Sequence, residues 1–327
     1  MTKEYIEQVF NSFSKKKVMI IGDSMIDAYM WGHVDRMSPE APVHVVDVEK
    51  HENRLGGAAN VARNIKSLGA TPLLCTVVGK DQRGKLFHKL MEEEGLSTNS
   101  ILVSENRKTT VKTRIIANNK HQLRVDEEDT FDLQEEEAFI KLLEKELTDV
   151  DVIILQDYNK GILTRKIIKH TISYAREIGT PTIVDPKKNN FLDYKNCDIF
   201  KPNLKEIKEG MGVEFNEKIE SNLKEATYKL KKNLNANAIL LTLSSDGICI
   251  NSDEGFFHVP AWGGDVVDVS GAGDTVISVA SLLLSEGVSF ENISKISCLS
   301  GGIVCQKVGV VPVQKEKLLK EAIKLMQ

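Results

Sequence analysis

The sequence predicts an α/β protein: one open, mostly parallel sheet covered by helices, with a small β flap set apart from it. Three observations carry this reading. Short apolar runs without polar alternation recur along the 327 residues, each close to a helical pattern, as strands buried on both faces require. Two other segments alternate partly and favour β-branched residues. No stretch is rich enough in Pro, Gly or Ser to be a linker, so residues 1–327 are expected to form one domain.

The elements follow in order. Val18-Met19-Ile20-Ile21 closes at Gly22, and a helix is expected over 57–69. The run 73–78 closes at Gly79 before a helix over 81–94. A helix over 133–147 precedes the run 152–155, and one over 164–179 precedes the run 181–184, which ends at Asp185. A helix over 216–234 leads to the run 239–243, and further helices are expected over 271–286 and 290–308. Such alternation builds an open sheet wrapped by helices. The two exceptions, 41–49 and 109–126, are expected to be antiparallel strands of the flap, which spans about 29–54 and 107–126. The flap would cover the carboxyl edge of the sheet, where ligands bind in open α/β folds. The acidic run 126–137 is read as the solvated start of a helix rather than a metal site.

Composition narrows the function. Lys and Arg number 43 and Asp and Glu 47, a net charge of −4. That balance excludes a nucleic-acid or anionic-membrane binder that works through bulk field. No apolar run reaches the 18 or so residues that cross a bilayer, and the charged N-terminus has no apolar core of a secretory signal. The five cysteines are odd in number and widely spaced. They are expected to be reduced thiols in a cytoplasmic protein, not a disulfide framework or a zinc site.

Four motifs could carry chemistry. Gly79 to Leu86 nearly spells a phosphate-binding loop, but Leu86 lacks the hydroxyl that would hold magnesium. Gly22-Asp23-Ser24 resembles the opening block of the Gly-Asp-Ser serine hydrolases, yet the late Asp-x-x-His that supplies their base is missing, since the last histidine is His258 and residue 255 is Gly. The strongest signal is Asp268-Val269-Ser270-Gly271-Ala272-Gly273-Asp274-Thr275 before an apolar helix. Its small residues admit a ligand close to backbone, and the amides opening the helix make an anion cradle from Gly271, Ala272 and Gly273. Asp274 would repel that anion unless it accepts a proton beside a transferring phosphoryl group. A second cluster, Gly56-Gly57-Ala58-Ala59-Asn60, either admits a substrate or serves close helix packing.

Taken together the two clusters resemble the ribokinase-like (phosphofructokinase B) carbohydrate kinases. One family signature is matched from Gly56 through Gly69 to Gly79, the other from Asp268 to Thr275, with Val279 where a small residue is usual. Pro202-Asn203-Leu204-Lys205-Glu206 is similar to the family's Asn-x-x-Glu. Finer motifs resemble the bacterial D-glycero-β-D-manno-heptose-7-phosphate kinase branch: Gly22-Asp23-Ser24-Met25-Ile26-Asp27, Arg36 to Val43, Asp157-Tyr158-Asn159-Lys160-Gly161 and Lys307-Val308-Gly309-Val310. Cys298 and Val310 stand where that branch usually has Asn and often Thr, near the expected adenine pocket. In many bacteria such kinases are fused to a nucleotidylyltransferase half; no histidine pair at three- or four-residue spacing is present here, so a stand-alone kinase is expected.

The resemblance implies a ribokinase-like fold and ATP-dependent phosphorylation of an anomeric sugar hydroxyl, on the way to ADP-heptose and lipopolysaccharide. The alternative is another kinase of the family, acting on a different sugar, sugar phosphate or nucleoside. ATP would contact Asn203, Leu204, Lys205, Glu206, Thr242 and Gly247, with Asn203 and Glu206 holding Mg2+ through its water shell; a monovalent cation is compatible with the family. Asp274 would be the base. Asp27, Gly56, Gly57 and Asn60 would hold the sugar. The phosphate already on the substrate would meet Lys112, Arg114, Arg124, Lys160 and Lys187. A homodimer through the flap is expected, because exposed strand edges pair readily.

Overall fold

The computed structural model describes residues 1–326. After α1 (Lys3–Ser12), β1 (Lys17–Gly22) begins the main sheet, and β2 (Ser24–Met37) turns straight out into the flap with β3 (His44–Gly57). The chain returns through α2 (Ala58–Ser67), β4 (Thr71–Gly79), α3 (Gln82–Glu93) and β5 (Ile101–Ser104). It then makes the second flap hairpin, β6 (Val111–Ala117) and β7 (Lys120–Glu127). The second half runs α4 (Glu136–Glu146), β8 (Val152–Gln156), α5 (Arg165–Ile178), β9 (Thr182–Asp185), β10 (Ile199–Phe200), α6 (Leu204–Met211) and α7 (Glu220–Leu234). It ends with β11 (Ala238–Thr242), β12 (Ile248–Ser252), β13 (Gly255–Val259), α8 (Ala272–Ser285), α9 (Phe290–Cys305) and α10 (Lys315–Met326).

The nine-stranded sheet has the order β13-β12-β11-β10-β9-β8-β1-β4-β5. It is parallel from β11 to β5, and β12 and β13 add an antiparallel edge. Alternate residues of β1 feed two cores: Val18 and Ile20 pack beneath α2, α8 and α9, while Met19 and Ile21 pack beneath α4, α5 and α7. That two-sided burial explains the absence of polar alternation. Strand order reverses at β1, whose neighbours are β8 and β4. The loops after β1, β8, β9, β10 and β11 therefore open on one crevice at the carboxyl edge.

The flap differs from expectation in two ways. It has four strands in the order β3-β2-β6-β7, and β2, absent from the sequence reading, is its longest shared member. Both hairpins are antiparallel, but the seam between them, from Ile26↔Val111 to Gly32↔Ala117, is parallel. A register shift at Trp31/Gly32 and the run of mixed polarity hid β2 from a periodicity argument. Only the end of the acidic run 126–137 starts a helix: α4 begins at Glu136, while Asp126 and Glu128 hold the flap's Lys112. All five cysteines are free, and burial raises their thiol pKa values, that of Cys249 to about 12. No helix among the described residues is long and apolar enough to cross a membrane.

Candidate active site

Asp274 sits in the first turn of α8, buried, in a chain of donors from three elements. Asn60 Nδ2 donates to its Oδ2 at 2.7 Å, and the Tyr158 hydroxyl donates to Oδ1 at 2.8 Å. Gln156 Nε2 lies 3.4 Å from Oδ1 and donates to Asp185 at 3.1 Å. Burial pushes the Asp274 carboxyl up to about 6, against the downward pull of Asn60 and Tyr158. A carboxylate that titrates there is ionised at neutral pH and basic enough to accept a proton. Gly271 caps α8 with φ +78°, a conformation that favours glycine, and a Cβ there would stand 2.9 Å from Val310. Ala272 donates to Val269 within the turn, whereas the amides of Gly273 and Asp274 have no acceptor among the described residues. The Gly271 amide likewise has no acceptor among the described residues, so Gly271 and Gly273 stay open to an anion as expected, with Ala272 half engaged.

A cavity of about 750 Å³ runs from this cradle between the loops after β9, β10 and β11 and the face of α9. Asn203, Glu206, Thr242, Gly247, Gly271, Gly273 and Asp274 line it. Leu204 and Lys205 do not; Lys205 points to solvent beside Glu209. Asn203 and Glu206 form a reciprocal capping box for α6, with Glu206 N donating to Asn203 Oδ1 at 2.9 Å and Asn203 N to Glu206 Oε2 at 2.8 Å. Asn-x-x-Glu therefore also starts a helix. Cys298 lines the cavity wall against Val259 and Pro260, while Val310 stands over Gly271 instead.

The sequence reading missed several residues here. Buried Lys201 pairs with Asp185 at 3.0 Å on the cavity wall and approaches Gly273. Asp23 accepts the backbone amides of Tyr158 (2.8 Å), Lys160 (3.0 Å) and Ile162 (3.2 Å), so it fixes the loop that carries Tyr158. Asp157, pushed up to about 6 by burial and by Asp23, takes the Tyr194 hydroxyl at 2.7 Å. Asp23, Asp157 and Tyr158 stand inside the motifs and Lys201 adjoins one, but nothing local marks their partners.

Apart from Lys187, the substrate candidates do not line the cavity. Asp27 packs against Gly56, where a Cβ would stand 2.3 Å from its Oδ2, and binds Arg114 at 2.6 Å. Gly57 turns into α2 with φ +60°, its would-be Cβ 2.4 Å from the Asp23 carbonyl. The candidate cations all carry partners: Lys112 binds Asp126 and Glu128, Lys160 binds Glu128, and Arg124 binds Asp126. Lys187 is apart from them, against Glu206 and over the Tyr158 ring, within the cavity.

Two earlier motifs lose their functional reading. Around Gly79 the amides are already occupied, Gly79 N by Thr109 Oγ1 and Gly84 N by Asp81. The Ser24 hydroxyl is buried with no hydrogen-bond partner, hence no base.

Residues 15–317 match the model of the pfkB family carbohydrate kinases. The chain belongs to that family. Solved structures support the kinase's fold: phosphofructokinase-2 from Escherichia coli in complex with potassium superposes with TM-score 0.77 at 18% identity, covering 95% of this chain and 99% of that one. Arabidopsis thaliana ribokinase complexed with ribose and ATP gives TM-score 0.71 at 18% identity, over 93% and 98%. Among curated proteins, the bifunctional protein HldE of Desulfatibacillum aliphaticivorans is 40% identical over 309 residues, and that of Sulfurimonas denitrificans 37% over 304. These alignments cover 94% and 92% of the kinase but only 63% of each relative.

Proposed function

We propose that this kinase transfers the γ-phosphoryl group of ATP to the anomeric hydroxyl of D-glycero-β-D-manno-heptose 7-phosphate, for ADP-heptose and lipopolysaccharide synthesis. The observation that supports transfer is the buried carboxylate of Asp274 between an amide cradle and the Asp27–Asn60 side of the site. The heptose branch is supported by the four motifs above and by the HldE relatives.

In this reading ATP occupies the cavity beside Thr242 and Gly247, with its terminal phosphates on the free amides of the α8 turn. Lys201 and Lys187 are the cations placed to meet them. The oxygen donors of Glu206, Asn203 and Asp185 suit a hydrated hard cation, which keeps much of its water. When bound, Mg2+ neutralises phosphate charge. Asp274 takes the proton of the attacking hydroxyl, while Asn60 and Tyr158 hold its two oxygens in place. The sugar lies between Asp27 and Asp274, and the flap keeps water from competing for ATP.

ADP release measured over a panel of sugars and sugar phosphates tests this. Heptose 7-phosphate should be preferred over unphosphorylated heptose by about tenfold or more, as removal of a charge-assisted phosphate contact weakens binding by roughly 1.5–3 kcal/mol. Equal turnover of the two would leave only a general sugar kinase. We further propose a homodimer through the flap, whose edge strand β7 exposes Leu123 and Val125. Light scattering at micromolar concentration should give twice the monomer mass, and a monomer mass would remove this interface.

A further inference from the structure

Cross-strand register sorts the charged face of the flap into two rows. One row, Arg54–Asp27–Lys112–Asp126, alternates in sign across all four strands, so each charge has an opposite neighbour. The next row, Glu52–Tyr29–Arg114–Arg124, does not: two arginines stand directly opposite each other. Like charges in that position are destabilising unless something between or beside them is negative. Arg124 is relieved by both oxygens of Asp126, at 2.9 and 3.1 Å, and faces solvent. Arg114 instead leans back over Tyr29.

Arg54, on the strand flanking β2 on its other edge, leans over the same ring. The two guanidinium carbons lie 5.1 Å (Arg54) and 5.3 Å (Arg114) from the Tyr29 ring centre. Their forks are incompletely used. Arg54 gives only Nε to Glu52, at 2.6 Å, and Arg114 gives only Nη1, to Asp27 and to the Lys112 carbonyl. Arg54 Nη1 and Nη2 and Arg114 Nε and Nη2 have no acceptor among the described residues. Arg54 also reaches the loop after α9: its Nη1 is 2.8 Å from where a Cβ on Gly309 would be, so only glycine leaves it room. Gly309 is tied to Asp268, and the adjoining Val310 covers Gly271.

Resting on the reading of a phosphorylated sugar substrate, we propose that Arg54 and Arg114, braced across Tyr29, form the clamp for the phosphate the substrate already carries. Two planar forks with free N–H groups suit a phosphate monoester, and cation–π contact with Tyr29 holds both in place while the site is empty of anion. Lys112, Lys160 and Arg124 then shape the flap face through Asp126 and Glu128 rather than binding the ligand.

Steady-state kinetics and calorimetry with heptose 7-phosphate test the clamp. Arg54→Gln should raise KM for the sugar phosphate about tenfold or more, with kcat and the KM for ATP unchanged, and Arg54→Lys should restore part of the loss. Inorganic phosphate should compete with the sugar phosphate on the native kinase and lose that competition in Arg54→Gln. Turnover of heptose 7-phosphate with an unaltered KM in Arg54→Gln overturns the clamp while the proposed function stands. Arg54-dependent calorimetric binding of the sugar phosphate, without turnover, overturns the proposed function while the clamp stands.

Discussion

Replacing Asp274 by asparagine is expected to lower kcat at least a hundredfold and leave ATP binding nearly unchanged. A positioned base contributes roughly 10²–10⁴ in rate, and the amide keeps the shape of the site while losing the ability to take a proton. Calorimetry with ATP and steady-state rates separate the two effects; near-normal kcat would sink the assignment. The pH dependence follows from the same group. Burial raises the Asp274 carboxyl from 3.8 to about 6, so the competent, ionised form is gained as pH rises through about 6, and kcat/KM should fall below it. The Tyr158 hydroxyl favours the ionised form, so Tyr158→Phe should move that limb to higher pH. Stability runs the opposite way. A carboxyl whose folded pKa is raised favours the folded state while protonated, and this advantage is lost between about pH 4 and pH 6. At neutral pH Asp274→Asn should therefore unfold at no lower temperature than the native chain.

Asp23→Ala is expected to be the most damaging single change to stability, by about 3–5 kcal/mol. It strips the acceptor from three backbone amides of the 158–162 loop, that of Ile162 buried, and removes the carboxyl near buried Arg107. Denaturant unfolding should show a midpoint shift without a change in slope. Activity should fall as well, because Tyr158 loses its fixed position against Asp274. An unfolding midpoint within error of the native one would refute the role of Asp23 in fixing the 158–162 loop.

How much of this was legible beforehand depends on how local the signal is. The unalternated runs gave the parallel sheet because two-sided burial writes itself into consecutive residues, as at Val18 to Ile21. The Gly271–Asp274 turn was legible because the small residues and the carboxylate that matter are neighbours in sequence. Lys112 and Arg114 were correctly placed on one strand face by alternation alone. Their partners were not, since Asp27, Asp126 and Glu128 reach them only through cross-strand register. Arg54 was invisible for the same reason: nothing near it in sequence indicates that it shares Tyr29 with a residue sixty positions later. Lys187 illustrates the converse, as its position after a core strand was right but the strand's loop faces Glu206 rather than the flap.

The parallel seam between the two flap hairpins has a kinetic consequence. Each hairpin can close from its own turn, Met37 to His44 in one and Ala117 to Lys120 in the other. The seam joins Ile26 to Val111, and the intervening chain contains α2, β4, α3 and β5. Closing so long a loop before those elements are ordered loses entropy without local reward. The lid should therefore be zipped last in refolding, after β1, β4 and β5 have brought its two roots together. Parallel pairing is also slightly weaker per residue, so the seam is the line along which the lid should open first in the native state. Amide exchange would show this as earlier loss of protection at β6 facing β2 than within β1 or β8.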